Sequence, residues 1–150
     1  MKKNKNKKKI IVIGCGFGGL QFIKHLKKNR FDILLIDKVN HHQFQPLFYQ
    51  VAASQIEPAT ISFPLRRIFQ NRKDVCIRLT TVEAVNEKEK VVETNIGKFA
   101  YDYLIIATGA KTNYFNNEQI EKNALSLKST YRSMNIRNKT LMNFEKILSD

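Results

Sequence analysis

A chain of 150 residues with 43% hydrophobic and 26% charged residues has the size and composition of one soluble globular domain, able to bury a core without disulfides or metals. Its formal net charge is +13, but Lys2, Lys3, Lys5, Lys7, Lys8 and Lys9 bring six of those charges within the first nine residues and leave about +7 to the rest. No apolar run approaches the roughly eighteen residues that a membrane-crossing helix needs, and no interleaved basic-aromatic motif speaks for nucleic acid.

The lysine run, residues 1–9, reads as a disordered basic leader, with an anionic lipid surface as its alternative role. Behind it, Ile10 to Ile13 form a continuous aliphatic run, as in a strand buried on both faces of a parallel sheet. Basic leader and apolar run together have the outline of a signal peptide. However, Gly14, Gly16, Gly18 and Gly19 would each weaken its helix by roughly 1 kcal/mol, and no small-residue cleavage signal follows. Phe17, Leu20, Ile23 and Leu26 instead recur at helical spacing, with Lys24, Lys27 and Lys28 on the other face and Asn29 near the stop. A second run, Ile33 to Ile36, ends in Asp37, eighteen residues after Gly19.

Strand, glycine turn, helix, strand and acid at these distances form a dinucleotide-binding Rossmann unit. Gly14 permits the tight turn, Gly16 lets backbone approach a pyrophosphate, and Gly19 lets the helix pack on the strand. The N–H groups and dipole at the helix start face the phosphates. Asp37 would accept from a ribose 2'-hydroxyl and repel a 2'-phosphate, which leaves NAD or FAD.

The stretch from Lys38 to Phe69 follows, irregular and rich in Gln and aromatic residues. Next come "DVCIRLTTVEAV", "KVVETNIG" and "KFAYD", expected as three antiparallel strands with turns near residues 86–89 and 95–98. Leu104 to Ala107 give one more buried strand, closing on Ala107, Thr108 and Gly109, small enough to let a ring or sugar approach the backbone. Met134, Leu141, Phe144 and Leu148 form one stripe of a final helix, with Ser129 as its cap; docking on the dinucleotide-binding domain is the expected use of that stripe, a membrane-surface helix its alternative. Cys15 and Cys76 lie in no metal or redox spacing and read as incidental buried thiols in a reducing compartment. His41 and His42 have no carboxylate or thiol to complete a metal set, and adjacent side chains point apart, so a turn or surface role is expected.

"KIIVIGCGFGG", the acid after the second strand, the meander and "YDYLIIATGA" together resemble the FAD half of the two-dinucleotide-binding disulfide oxidoreductases. Within that group, "NHHQFQPLFYQVAASQIEPATISFPLR", "YDYLIIATGAKTNYF" and "LKSTYRSMNIRNKTLMNFEKIL" are similar to type II NADH dehydrogenases, the non-proton-pumping NADH:quinone oxidoreductases. The resemblance runs from Ile10 to Leu148, with Phe48 in place of a usual Leu and Arg132 where an acid commonly stands.

The resemblance implies an α/β fold: a Rossmann-like FAD-binding domain over residues 10–128, with a parallel central sheet and a three-stranded antiparallel meander. A connecting helix over 129–150 would lead toward an NADH-binding domain that this sequence lacks. By resemblance Gly14, Gly16, Phe17, Gly18 and Gly19 hold the pyrophosphate, Asp37 and Lys38 flank the ribose, and Val82 offers backbone to adenine. Ala107, Thr108 and Gly109 lie at the flavin end. Gln45 and Pro46 border the flavin, with Phe44, Leu47, Tyr49 and Gln50 on the quinone approach. Loop packing on the sheet is the alternative for that segment. No residue is assigned as catalytic and none as a metal ligand.

The implied reaction passes a hydride from NADH to FAD and two electrons on to a membrane quinone, at the cytoplasmic face of an inner membrane, by a protein of which this chain is a part not active alone. A homodimer stays open. So do three other readings: a non-catalytic FAD-binding fragment, a surface adaptor using the lysine leader, and a sulfide:quinone oxidoreductase, for which Cys76 is poorly placed.

Overall fold

The structure, a computed structural model, describes residues 7–149; the first six residues of the basic leader, with Lys2, Lys3 and Lys5, lie outside the described residues. In chain order the elements are β1 (Lys9–Ile13), α1 (Phe17–His25), β2 (Asp32–Asp37), β3 (His41–Gln43), a 3-10 turn at Gln45–Leu47, α2 (Phe48–Ala52), a second 3-10 turn at Pro58–Ile61, β4 (Ser62–Pro64), α3 (Leu65–Ile68), β5 (Val75–Leu79), β6 (Val82–Asn86), β7 (Val91–Thr94), β8 (Gly97–Ala100), β9 (Tyr103–Ile106), α4 (Glu118–Asn123) and α5 (Thr130–Ser149). They divide into two compact units. The first takes the chain up to His42 and Pro64–Gly109, the second Gln43–Phe63 and the chain from Ala110 on.

In the first unit a parallel sheet in the order β5-β2-β1-β9 carries the core. Its middle strand explains the unbroken aliphatic run. Ile10 and Val12 of β1 turn to one face, where Leu20 and Ile23 of α1 and Leu65 of α3 cover them together with Phe69. Ile11 and Ile13 turn to the other, against Val92 of β7, Val82 and Val85 of β6 and Phe99 of β8. A strand with helices on one face and a meander on the other has no side for a polar residue. Each such side chain contributes on the order of 1.5–3 kcal/mol by leaving water.

β6, β7 and β8 make the antiparallel meander. Only the latter part of "DVCIRLTTVEAV" belongs to it: Val75–Leu79 is instead a parallel strand beside β2, with Ile33↔Val75 through Asp37↔Leu79 in register. Thr80 and Thr81 make the break. The Thr80 N–H still donates to the Asp37 carbonyl (2.9 Å), whereas Asn95 Oδ1 accepts from the Thr80 hydroxyl and the Thr81 N–H, which starts the meander.

β1 starts at Lys9, whose N–H donates to Asp102 Oδ2 (2.7 Å) while the Lys8 ammonium meets Oδ1 (3.0 Å). The final helix is one piece, with Ser129 Oγ accepting from the Arg132 N–H (3.2 Å) as its cap. Met134 packs on the core of the second unit, Phe48, Val51 and Ile61. Farther along, Leu141, Phe144 and Leu148 are exposed, so the stripe docks only over its first turns.

The far end of α1 is fastened by an ion pair absent from any sequence motif. Arg72 donates Nε to Asp74 Oδ1 and Nη2 to Oδ2, both at 2.8 Å, and Nη1 to the Ile23 carbonyl of α1 at 2.9 Å. Asp74 Oδ2 also accepts from the Asn29 N–H (3.1 Å) behind the helix. The Asp74 side chain is 1% exposed and that of Arg72 8%. The hydrogen-bonded guanidinium holds the Asp74 carboxyl below its ordinary value of 3.8 against the opposing effect of burial. Folding lowers that pKa, so the stabilisation is complete above the unfolded value and fades as pH falls through the folded one. Asp74→Asn strands a buried guanidinium and is expected to cost about 3 kcal/mol near neutral pH, the gap to the parent narrowing below the ordinary carboxyl value; urea unfolding at neutral and strongly acidic pH measures both.

Candidate dinucleotide site

Strand order changes direction at β1: β2 lies on one side of it and β9 on the other. In parallel α/β sheets, ligands bind at the carboxyl ends of strands at such a switch point. Here the chain leaves β1 at Gly14, whose N–H donates to the Ile36 carbonyl (2.8 Å) and whose φ is +94°. A Cβ on Gly14 would stand 2.4 Å from the Ala107 carbonyl oxygen, and one on Gly19 would stand 2.0 Å from the Gly14 carbonyl oxygen. Both positions therefore exclude any side chain, and the first turn of α1 is pressed onto the ends of β1 and β9.

Gly16 differs, because a Cβ there would meet nothing within 4 Å. It is the N-cap of α1, with no side-chain cap and no acidic residue in the first turn. The first intrahelical bond runs from the Leu20 N–H to the Gly16 carbonyl (3.0 Å). Amides ahead of it have no intrahelical acceptor, and the dipole adds partial positive charge. A helix start that opens on empty space at Gly16, with no acidic side chain in its first turn, fits a diphosphate.

Around the loop, Asp37 ends β2 and uses both carboxylate oxygens: Oδ2 accepts from the Cys15 N–H (2.6 Å) and Oδ1 from the Val39 N–H (3.0 Å). Each oxygen keeps a lone pair for a ribose hydroxyl. Lys38 is exposed beside it. The Ala107 N–H donates to the Ile13 carbonyl (2.8 Å), and exposed Thr108 and Gly109 follow at the mouth of β9. Val82 opens β6 with its side chain in the meander core. The first unit thus gathers Gly14, Gly16, Phe17, Gly18, Gly19, Asp37, Ala107, Thr108 and Gly109 around the ends of β1, β2 and β9.

Phe44, Gln45, Pro46, Leu47, Tyr49 and Gln50 belong to the second unit. Pro46 lies within the 3-10 turn that leads into α2. Phe48 and Val51 then face inward with Ile61, so Phe48 is a core side chain. Tyr49 is turned outward, 56% exposed, and its hydroxyl accepts from Gln50 Nε2 (3.2 Å). Gln43 Oε1 accepts from the Thr130 N–H (2.7 Å) and hydroxyl (3.1 Å), tying this segment to the start of α5.

The two histidines separate as neighbours in a strand must. His41 is half-buried, but His42 is 5% exposed, its Nδ1 2.9 Å from the Cys15 carbonyl oxygen and its ring edge-on to Phe17. A surface or turn role does not describe it: the alternation of β3 sends it inward. Among the described residues no group of His, Cys, Asp and Glu could hold a metal. Cys15 is buried and its thiol is pushed up to about 12, first by burial and then by the Asp37 charge.

The family described as pyridine nucleotide-disulphide oxidoreductase matches residues 8–148. The type II NADH:quinone oxidoreductase NdhA of Mycobacterium tuberculosis is 36% identical over 141 residues, covering 91% of this chain and 30% of the relative. Among solved structures, NDH2 of Plasmodium falciparum in complex with NADH superposes with a TM-score of 0.87 at 30% identity, over 95% of this chain and 30% of that one. The sulfide:quinone oxidoreductase of Aquifex aeolicus gives 0.83 at 27% identity, over 92% and 32%. The chain therefore spans about 30% of the length of the curated relative, and it is similar to the N-terminal portion of the type II enzymes.

Two outcomes follow from the loop. Gly19→Ala forces backbone apart and is expected to lower stability by about 3 kcal/mol or abolish folding, while Gly16→Ala stays within about 1 kcal/mol of the parent; thermal unfolding of the pair reads the contrast. Iodoacetamide at mildly alkaline pH is expected to leave Cys15 unmodified in the folded chain and to alkylate it after denaturation, as peptide mass mapping will report.

Proposed function

The chain belongs to the pyridine nucleotide-disulphide oxidoreductase family, and we propose that it is the FAD-binding portion of an NADH:quinone oxidoreductase of the type II kind. FAD is the cofactor of that family. The observation that carries the reading is the contrast within the glycine loop: Gly14 and Gly19 are closed by backbone, whereas Gly16 opens on empty space at an uncapped helix start.

In this reading the main-chain N–H groups of Gly16, Phe17, Gly18 and Gly19 bind the diphosphate, and Gly14 supplies the turn beneath them. Asp37, with Lys38 beside it, takes the adenosine ribose and disfavours a 2'-phosphate. Val82 offers backbone to adenine, and Ala107, Thr108 and Gly109 leave room for the flavin end. In the second unit, Phe44, Leu47, Tyr49 and Gln50 offer aromatic, apolar and amide groups suited to a quinone, with Gln45 and Pro46 shaping that turn. When bound, the flavin supplies two-electron chemistry between a hydride donor and a quinone. The protein supplies orientation and electrostatics, and none of its side chains needs to be a nucleophile.

A lipid-borne quinone puts the work at a membrane surface, and NADH puts it on the cytoplasmic face. No helix among the described residues is long and apolar enough to cross a membrane. A sulfide:quinone reaction finds less support. Cys15 follows the end of β1 and Cys76 lies within β5; β5 is two strands from β1, about 10 Å across the sheet.

Titration of the purified chain with FAD, followed by quenching of flavin fluorescence, tests the reading. Saturable binding is expected, about tenfold weaker in Gly16→Ala at unchanged melting temperature. The 150-residue chain is expected to show no steady NADH:quinone turnover by itself. Absence of any flavin uptake would sink the reading.

A further inference from the structure

His42 has no part in the reading above, yet it is the buried side chain that reaches the glycine loop. Its Nδ1 stands 2.9 Å from the carbonyl oxygen of Cys15. A carbonyl oxygen only accepts, so the hydrogen bond requires the proton on Nδ1. That carbonyl shares one planar peptide group with the N–H of Gly16, and in a trans peptide the two point in opposite directions. Fixing the Cys15 carbonyl therefore fixes the aim of the Gly16 N–H, directed away from His42.

The neighbouring peptide is held as well, since the Cys15 N–H donates to Asp37 Oδ2 at 2.6 Å. Asp37 comes from β2 and His42 from β3, so two strands grip the loop on the two sides of one residue. The grip matters because Gly16 lacks a Cβ and nothing lies within 4 Å of where one would be. A peptide flanked by glycine in open space turns over at little steric cost. Flipped, it would present a carbonyl oxygen where the cradle needs an N–H.

We propose that His42 is a positioning residue for the dinucleotide: its Nδ1–H locks the Cys15–Gly16 peptide so that the Gly16 N–H points at the diphosphate. The inference rests on the FAD reading for its ligand, but the orientation of the peptide belongs to the chain alone. Packing is the rival explanation, because the Phe17 ring meets His42 edge-on with centroids 5.2 Å apart.

Two substitutions separate hydrogen bond from packing. His42→Asn keeps a donor at about the reach of Nδ1 and discards the ring; His42→Phe keeps a ring against Phe17 and discards the donor. The Gly16 amide signal of the flavin-free protein in nitrogen-proton NMR spectra, and the FAD dissociation constant, are read for each. The expected result is a displaced or broadened Gly16 signal and about tenfold weaker FAD binding in His42→Phe, with both near the parent in His42→Asn. Parent-like behaviour of His42→Phe, or equal damage in the two variants, overturns the proposal. If the parent itself takes up no FAD, the functional reading fails separately, and the Gly16 signal alone decides on His42. Should a variant not fold, the ring nitrogen shifts of His42 in the parent still decide: a proton on Nδ1 supports the role, and protonation at Nε2 alone overturns it.

Discussion

Three stretches of backbone meet at the edge of van der Waals contact where β1 ends. The space a Cβ on Gly19 would need is taken by the Gly14 carbonyl, and that of Gly14 by the Ala107 carbonyl. This closure fixes where α1 begins, and with it the direction of the helix dipole and of the amides ahead of Leu20. It is rigid because β1 beneath it is buried on both faces, Ile10 and Val12 on one and Ile11 and Ile13 on the other. At the opposite end, Arg72 hydrogen-bonds the Ile23 carbonyl while paired with Asp74. The helix is thus fastened at both termini, by steric exclusion at one and by a buried charge pair at the other.

The electrostatics of the loop follow from what is kept out of it. No acidic residue lies in the first turn of α1 and no side chain caps it, so the partial positive charge of the helix start stays available to a ligand. Cys15 could spoil this, since a thiolate in the loop would cancel that charge. Burial and the nearby Asp37 carboxylate push its thiol up to about 12 and keep it neutral. The negative charge that is present, on Asp37, accepts from the Cys15 and Val39 N–H groups. One carboxylate thereby ties the glycine loop to the end of β2 and the start of the chain beyond it.

Much of the first unit was legible in the sequence because its signals are local. Aliphatic runs marked β1, β2 and β9, glycine spacing marked the turn, and Asp37 closed the unit. The expectation that β5 joins the meander fails for a physical reason: the apolar residues Val75, Ile77 and Leu79 alternate in the sequence, which suits an antiparallel neighbour, yet the strand pairs in parallel with β2, and only the break at Thr80–Thr81 separates it from the meander. Arg72, Asp74 and Gln43 were silent, since a lone pair of charges or a glutamine gains meaning only from what the fold brings near. His42 had a partial signal. Adjacent histidines in a strand face opposite sides, so one of the two had to turn inward, but its acceptor, a main-chain carbonyl 27 residues earlier in the chain, leaves no trace in sequence.

The second unit shows how far periodicity reaches. Ser133, Met134, Leu141, Phe144 and Leu148 share one stripe of α5, and that stripe is buried at its start and exposed at its end. The cause is length. A helix of 20 residues extends about 30 Å, whereas the five residues of α2 extend about 7.5 Å, so α2 covers little more than one turn of its neighbour. Hydrophobic spacing thus identifies the face a helix would bury, and the size of the partner decides how much of that face is buried. Gln43, by binding the Thr130 N–H and hydroxyl at the covered end, fixes the start of α5 to the segment that carries Phe44 and Tyr49. The position of those aromatic side chains in the unit is therefore set by the first turns of α5, independently of its exposed remainder.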